Sequence, residues 1–176
     1  MKNKTLNLTL TSIMTALICV LSFITIPNPF GAVPFTLQTF AVSFAGFWLG
    51  AKYGTLSVGA YIVIGFIGIP VFSGFQGGIG VLFGPTGGFI FGFLVFSFLC
   101  GIAQNKNILF ALLLSFLGLL ICHTLGIAFY CIYSKSSFLS AFLWVSAPFI
   151  LKDIVSVLAS FFVAKTVRRK INTHKM

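Results

Sequence analysis

The chain contains a single carboxylate side chain. Of its 176 residues, 11 are lysine or arginine and only one is acidic, Asp153. Asp153 falls in an apolar stretch, residues 148–167, about 8 Å past the start of a helix that rises 1.5 Å per residue. At about 100° per residue, Phe149, Asp153, Ser156 and Ser160 share one narrow arc, a polar stripe on an otherwise apolar helix. An ionisable group at that depth is costly without a partner, and its default reading is functional. Ionised, it offers acceptors and no donors. That complements a neutral solute presenting N–H groups, such as a urea or an amide. The competing arrangement is an internal ion pair, most obviously with Lys152. Adjacent helical residues point about 100° apart, which makes a direct pair awkward, and the lysine stem can instead carry its ammonium to the membrane interface.

The other reactive residue types are sparse. His123 lies in the middle of an apolar run with no second His, Cys or acid at ligand spacing, so it reads as a hydrogen-bonded core histidine. His174 sits in the basic tail. Cys19, Cys100, Cys122 and Cys131 all lie in apolar segments without a CxxC pair, and read as small packing residues rather than a metal site or disulfide framework. No phosphate-binding loop, Gly-x-Ser-x-Gly elbow or metalloprotease helix is present. One acid cannot supply paired carboxylates. The chain therefore reads as no enzyme, with no cofactor and no metal. Any energised step must draw on a partner or an ion gradient.

These side chains must be positioned by membrane helices. Hydrophobic residues make up 59% of the chain and charged residues 7%, with a mean hydropathy of +1.12. A soluble domain of this length still exposes roughly 30% of its unfolded surface, which this composition cannot cover. The expectation is an all-α integral membrane protein, a single domain over residues 1–176, multi-pass. Its helices fall near residues 6–26, 37–49, 54–69, 86–103, 108–133 and 148–167. The second and third are short against the ~20 residues of a span, so they are expected to tilt or extend. Lys2 and Lys4 before the first stretch resemble a signal peptide. That stretch is longer than a usual signal core and no small-x-small site follows promptly, so it reads as a helix.

The cations give a direction. With six spans both termini share one side, and they carry Lys2, Lys4, Lys165, Arg168, Arg169, Lys170 and Lys175, joined there by Lys52 and Lys106. The opposite side holds Lys135, with Lys152 near a helix start. Both termini are thus expected in the cytoplasm. The cations sit singly between apolar runs or in the tail and do not cluster on a folded face, which argues against nucleic acid; they read as topology determinants available to anionic lipid. The outer connections are then residues 27–37, 69–85 and 134–147. The first two are uncharged and rich in Gly, Pro and Phe. Irregular backbone at membrane depth is tolerated where it lines a cavity, and Gly-rich backbone suits close approach to a ligand. These loops are expected to fold inward over an outward-facing pocket, with plain apolar turns as the alternative. On the first helix Thr11, Thr15, Cys19 and Ser22 share a face flanked by Ser12 and Ala16. Such small residues suit close helix approach in lipid, either to a partner or within the bundle.

Several motifs then occur in order: Val33-Pro-Phe-Thr-Leu-Gln38, Leu49-Gly50, Tyr61, Gly68-Ile-Pro-Val-Phe72, Gly84-Pro-Thr-Gly-Gly-Phe89, and Pro148-Phe149 with Asp153. Across about residues 11–164 the chain resembles the BioY family, the biotin-binding S components of energy-coupling factor (ECF) transporters. The resemblance implies a six-helix S-component fold in a prokaryotic plasma membrane, with a biotin pocket near the outer face. It also implies a transmembrane coupling subunit and two ATPase subunits as partners, and import by toppling of the whole S component. The first-helix residues Thr11, Ser12, Thr15, Ala16 and Cys19 become the expected docking face for the coupling subunit. By position, Asp153 resembles the acid that receives the ureido N–H groups, and Gln76 the amide of the third-to-fourth helix loop. Phe35, Thr36, Phe75, Thr86 and Tyr130 become expected wall residues.

Two departures stand out. The family usually carries a lysine three residues after the acid, where this chain has Ser156. Lys152, about 40° from Ser156 on the helical wheel and one turn earlier, is the expected substitute. The family's tyrosine after Gly-Pro-Thr-Gly-Gly is Phe89 here, which removes one hydroxyl. The competing functions are an S component for another vitamin, left open by Ser156, and a ligand-free membrane scaffold in which Asp153 only pairs inside the bundle.

Overall fold

The computed structural model describes residues 4–28 and 33–173. Lys2, His174 and Lys175 lie outside the described residues, as does the middle of the 27–37 connection. Seven helices and one two-stranded ladder follow in the order α1 (Lys4–Phe23), β1 (Thr25–Ile26), β2 (Phe35–Thr36), α2 (Gln38–Phe66), α3 (Ile79–Leu82), α4 (Gly87–Ile102), α5 (Ile108–Ser134), α6 (Phe138–Val145) and α7 (Ala147–Thr173).

Helix α2 is two antiparallel limbs. Gly50 breaks it with φ 81° and ψ 175°, a conformation that glycine adopts without a Cβ clash. Gln38, at the start of the first limb, donates from Nε2 to the hydroxyl of Tyr61, near the end of the second, over 2.7 Å. A Cβ on Gly54 would lie 2.7 Å from the carbonyl oxygen of Ala45. The expected second and third helices are therefore present, joined by one residue instead of the expected residues 50–53.

Several expectations need correction. The first helix, expected to end at 26, ends at Phe23, and Thr25–Ile26 form β1; the third, expected to end at 69, ends at Phe66; and the 69–85 connection contains α3. Residues 134–147, read as a plain connection, contain α6. Lys135 ends α5 in the left-handed conformation, φ 52°, and the Ser137 side chain then caps α6 by accepting from the Ser140 amide. At eight residues α6 is too short to stand out by periodicity. The last helix, expected to end at 167, continues to Thr173.

Lys4–Phe23, Gln38–Phe66, Ile108–Ser134 and Ala147–Ile171 are long and apolar enough to cross a membrane, and Gly87–Ile102 is a shorter apolar helix. Helix α2 packs against α4, α1 and α7, and α4 packs in turn against α5. Leu113, Leu117 and Leu120 of α5 and Leu151, Val155 and Phe162 of α7 are exposed, whereas Ser43, Ser57, Ser97, Ser115 and Ser160 are buried. An apolar exterior around an interior containing hydroxyls is what lipid solvation requires. Hydrocarbon on the outside removes any drive to bury leucine, so cohesion rests on close packing and hydrogen bonds. Gly92 shows the closeness, since a Cβ there would sit 2.7 Å from Cys122 Cα on α5.

Candidate functional site

The polar stripe of α7 faces inward as its periodicity predicts: Phe149, Asp153, Ser156 and Ser160 are all buried. Ser160 and Ser43 of α2 share a hydrogen bond of 2.7 Å, which fixes the lower half of the stripe against the first limb. At the upper half the wall opens into a cavity of about 580 Å³.

Backbone geometry builds the cavity roof. The β1–β2 pairing, Thr25 opposite Thr36 and Ile26 opposite Phe35, pulls the chain before α2 back over the end of α1. After α2 the chain turns through Gly68, Gly74, Phe75 and Gly78, all at positive φ. Phe72 and Gln76 pair across that turn, amide to carbonyl at 2.9 and 3.3 Å. Val33, Thr36, Phe72, Gln76, Gly84 and Thr86 from these segments all line the cavity, so both Gly/Pro/Phe-rich connections fold inward over a pocket.

Asp153 sits in the α7 wall between His123 and Lys152. The Nε2 of His123 is 3.1 Å from Oδ2. The ammonium of Lys152 is 2.6 Å from Oδ1, an ion pair in which Oδ1 makes no aligned hydrogen bond. Lys152 is anchored by donating to the Thr36 carbonyl at 3.1 Å and to Thr39 Oγ1 at 3.2 Å. It also lies 5.6 Å from the centroid of the Phe149 ring. His123 is braced on its far side by Ser146, with Oγ 2.8 Å from Nδ1, and Phe89 packs edge-on against its ring at 5.7 Å. The direct Lys152–Asp153 pair, judged awkward from helical geometry, therefore forms. The four-carbon lysine stem is long enough to swing its ammonium over the carboxylate of the next residue, and the two threonine acceptors fix it there. On the outer flank of the pair an apolar cleft of about 360 Å³ between α5, α6 and α7 shares His123 and Asp153 with the cavity.

A second buried network supports the wall. Gln38 donates to Tyr61 at 2.7 Å and to Ser22 Oγ at 3.1 Å, and its Oε1 accepts from Thr36 Oγ1 at 3.0 Å. Residues of α1, β2 and both limbs of α2 are thereby tied together behind the cavity.

The expected site residues divide into two groups. Asp153, Lys152, Gln76, Thr36 and Thr86 all line the cavity. Four lie elsewhere. Phe35 leans on the Phe149 ring, centroids 4.7 Å apart. Phe75 is exposed and stacks on Phe23 of α1 at 4.4 Å, because its positive φ turns its side chain away from the loop interior. Tyr130 packs with the α5–α6 cluster of Ile127, Ala141 and Val145, and the α5 tyrosine that reaches the cavity is Tyr133. Ser156 is buried below the cavity, outside its lining.

The first-helix face divides as well. Thr15 donates to the Ser57 carbonyl at 3.1 Å and Ser57 donates to the Thr11 carbonyl at 3.2 Å, so Thr11 and Thr15 are spent on internal packing against α2. Ser12 and Ala16 are exposed and Cys19 is half-buried.

Sequence reasoning missed His123, Thr39 and Tyr133 as members of the site. A signal for His123 was available, since an ionisable group in mid-span carries the same default as Asp153. Its partner is thirty residues away on another helix, beyond the reach of spacing along its own.

The sequence and the fold have counterparts among known proteins. The chain is similar to the biotin transporter BioY of Thermotoga maritima, with 39% identity over 162 residues, 89% of this chain and 92% of that protein. It is also similar to the biotin transporter BioY2 of Lactococcus lactis subsp. cremoris, with 36% identity over 176 residues, 98% and 96% of the two chains. Its fold matches the crystal structure of the S-component for biotin from an ECF-type ABC transporter, with a TM-score of 0.87 at 32% identity, over 96% of this chain and 95% of that one. The names are those of transport proteins and not of enzymes. Residues 1–173 match the model of the BioY family, and the chain belongs to that family.

Proposed function

We propose that the chain binds biotin in the cavity beside Asp153 and serves its uptake as the S component of an ECF-type ABC transporter. One observation carries the reading: the only acid of the sequence stands in the wall of a cavity of about 580 Å³, a size typical of small-molecule sites. Oδ2 is taken by His123 and Oδ1, buried without an aligned hydrogen bond, is covered by the Lys152 ammonium at 2.6 Å; a ureido N–H reaches Oδ1 as that ammonium swings aside. Two of the three Lys152 hydrogens are used by Thr36 and Thr39, which leaves the third to shield Oδ1 or to meet a ligand oxygen. Gln76 and Thr86 supply neutral polar groups at the opposite wall, and Phe72, Phe89 and Phe93 supply apolar surface for an aliphatic chain. Lys152 thereby substitutes for the family lysine absent at Ser156.

In this reading the chain is a single domain of six spans, the two limbs of α2 counting separately, with both termini in the cytoplasm of a prokaryote and the cavity on the outer side of its plasma membrane. Energy comes from a transmembrane coupling subunit and two ATPase subunits, with Ser12, Ala16 and the exposed edge of Cys19 facing the coupling subunit.

Calorimetric titration of biotin into the detergent-solubilised protein and its Asp153→Asn variant tests the site. Hydrogen bonds to a charged group contribute about 1.5–3 kcal/mol, so Asp153→Asn weakens binding by about ten- to hundredfold. A folded wild-type protein that binds no biotin sinks the assignment. Unchanged affinity in the variant removes Asp153 from the site.

A further inference from the structure

We infer that the basic groove at the opposite end of the bundle is a binding site for an anionic phospholipid, holding the headgroup phosphate on lysine and arginine and one acyl chain on its apolar wall. The groove encloses about 1210 Å³ between the start of α1, the Gly50 turn, the α4–α5 connection and the end of α7. Along α7, Arg168 lies about 22 Å from Asp153 at 1.5 Å per residue, so the groove and the cavity occupy opposite ends of the protein.

Three observations combine. The first is cation excess without a side-chain carboxylate to balance it. Lys106, Lys165 and Arg168 all line the groove, and the only side-chain carboxylate of the sequence is engaged by Lys152 at the other end. No other side-chain carboxylate exists in the sequence to neutralise them. The second is a preset donor. Arg168 is braced by Nη1 on Asn105 Oδ1 at 2.8 Å and Nη2 on the Gln104 carbonyl at 2.6 Å. Gln104 is in turn held by donating to the Trp48 carbonyl at 2.6 Å. The guanidinium is thus fixed, while its Nε is buried without a hydrogen-bond partner. The donors open to a phosphate oxygen are the Nη hydrogens not spent on Asn105 and Gln104, on a cation already fixed in place. The third is the wall. Leu6, Leu10, Leu49 and Phe161 continue the groove toward the apolar interior, and Trp48 and Tyr53 line it as well. Aromatic rings that are part apolar and part polar favour headgroup depth. A soluble phosphate needs cations alone, whereas cations above an apolar wall at the end of membrane helices match a phospholipid.

The test uses the full chain, delipidated in detergent and titrated with phosphatidylglycerol or phosphatidylcholine under native mass spectrometry. Each Lys or Arg near an anionic lipid is worth roughly a fivefold preference. Wild-type protein therefore retains phosphatidylglycerol at least about fivefold more tightly than phosphatidylcholine. Lys106→Gln with Lys165→Gln removes most of that preference while biotin binding stays unchanged, which certifies the fold. Arg168→Gln goes further but also releases Asn105 and Gln104, so the double lysine variant is the deciding one. Equal retention of the two lipids overturns the proposal. Displacement of the lipid by equimolar inorganic phosphate reassigns the groove to a free anion and also overturns it. If the double variant keeps its phosphatidylglycerol and instead loses co-purification with energising subunits, the groove is a protein-docking surface and the lipid site is refuted.

Discussion

His123 and Asp153 meet across two helices, Nε2 3.1 Å from Oδ2, and the same imidazole is held from behind by Ser146 at Nδ1, 2.8 Å. An ionised carboxylate only accepts, so Nε2 carries the hydrogen. In the neutral ring Nδ1 then accepts from the Ser146 hydroxyl. The chain Ser146–His123–Asp153 thus fixes the rotation of the carboxylate and leaves Oδ1 to the Lys152 ammonium, 2.6 Å away.

On the proposed function, His123 acts on the ligand through Asp153. Replacing it by leucine frees the carboxylate to rotate and weakens biotin binding by about tenfold, the value of one hydrogen bond to a charged group. Glutamine, which retains a donor, restores most of that loss. Calorimetry on both variants decides the point, and equal affinities for leucine and glutamine would show that His123 only fills space.

Lys152 is tied to Thr36, Thr39 and Asp153 at once. Lys152→Met keeps the apolar stem over Phe149 and removes the ammonium, so its effect is that of the charge. Binding falls by about ten- to hundredfold. Lys152→Arg does not rescue it, because a planar fork cannot meet three acceptors arranged around a point. An affinity unchanged in Lys152→Met means that nothing at this position substitutes for the lysine absent at Ser156.

Much of this arrangement was legible because membrane solvent makes polar residues rare. One acid in an apolar helix, its stripe of serines and two glycine-rich connections without charge pointed to the same end of the bundle. Periodicity assigns a face to each residue but does not name what the face meets. Hence Thr11 and Thr15, correctly placed on one face, turned out to bind Ser57 inside the chain. The contact between His123 and Asp153 was hidden for the same reason. Loop side chains were read least well. Phase along a helix gives no guide in residues 67–86, and the positive φ of Phe75 sends its ring to Phe23 instead of the cavity. Tyr130 and Tyr133 are separated by just under one turn of α5, so an uncertainty of a few residues in the wall selected the wrong ring.

Tyr61 joins the cavity wall to α1 through Gln38 and Ser22. Tyr61→Phe removes both contacts of the hydroxyl while Gln38 keeps its bond to Ser22. Hydrogen bonds between membrane helices average about 0.6 kcal/mol and reach about 1.7. A loss of about 1 kcal/mol is expected in thermal unfolding of the detergent-solubilised protein, small enough to leave a folded protein for titration. Because Gln38 itself lines the cavity, biotin binding weakens modestly in the same variant. A variant as stable as the wild type would show that the pair at 2.7 Å contributes nothing net.

Gly50 is the residue on which the six-limb arrangement turns. Its φ of 81° with ψ of 175° lies in a region essentially restricted to glycine, and holding another residue there costs about 1–3 kcal/mol. A Cβ would also stand 2.8 Å from Gln104 Oε1, and that amide fastens the α4–α5 connection to Trp48. Gly50→Ala is therefore expected to lower the unfolding temperature and to loosen the basic groove around Gln104 and Arg168. The cavity beside Asp153, at the far end of both limbs, keeps its geometry. Thermal unfolding with and without biotin separates these effects: the variant melts lower in both conditions, and the stabilisation conferred by ligand is preserved. A variant that melts like the wild type would mean that the two limbs are held antiparallel by their packing on α4 and α7, with no need for the glycine turn.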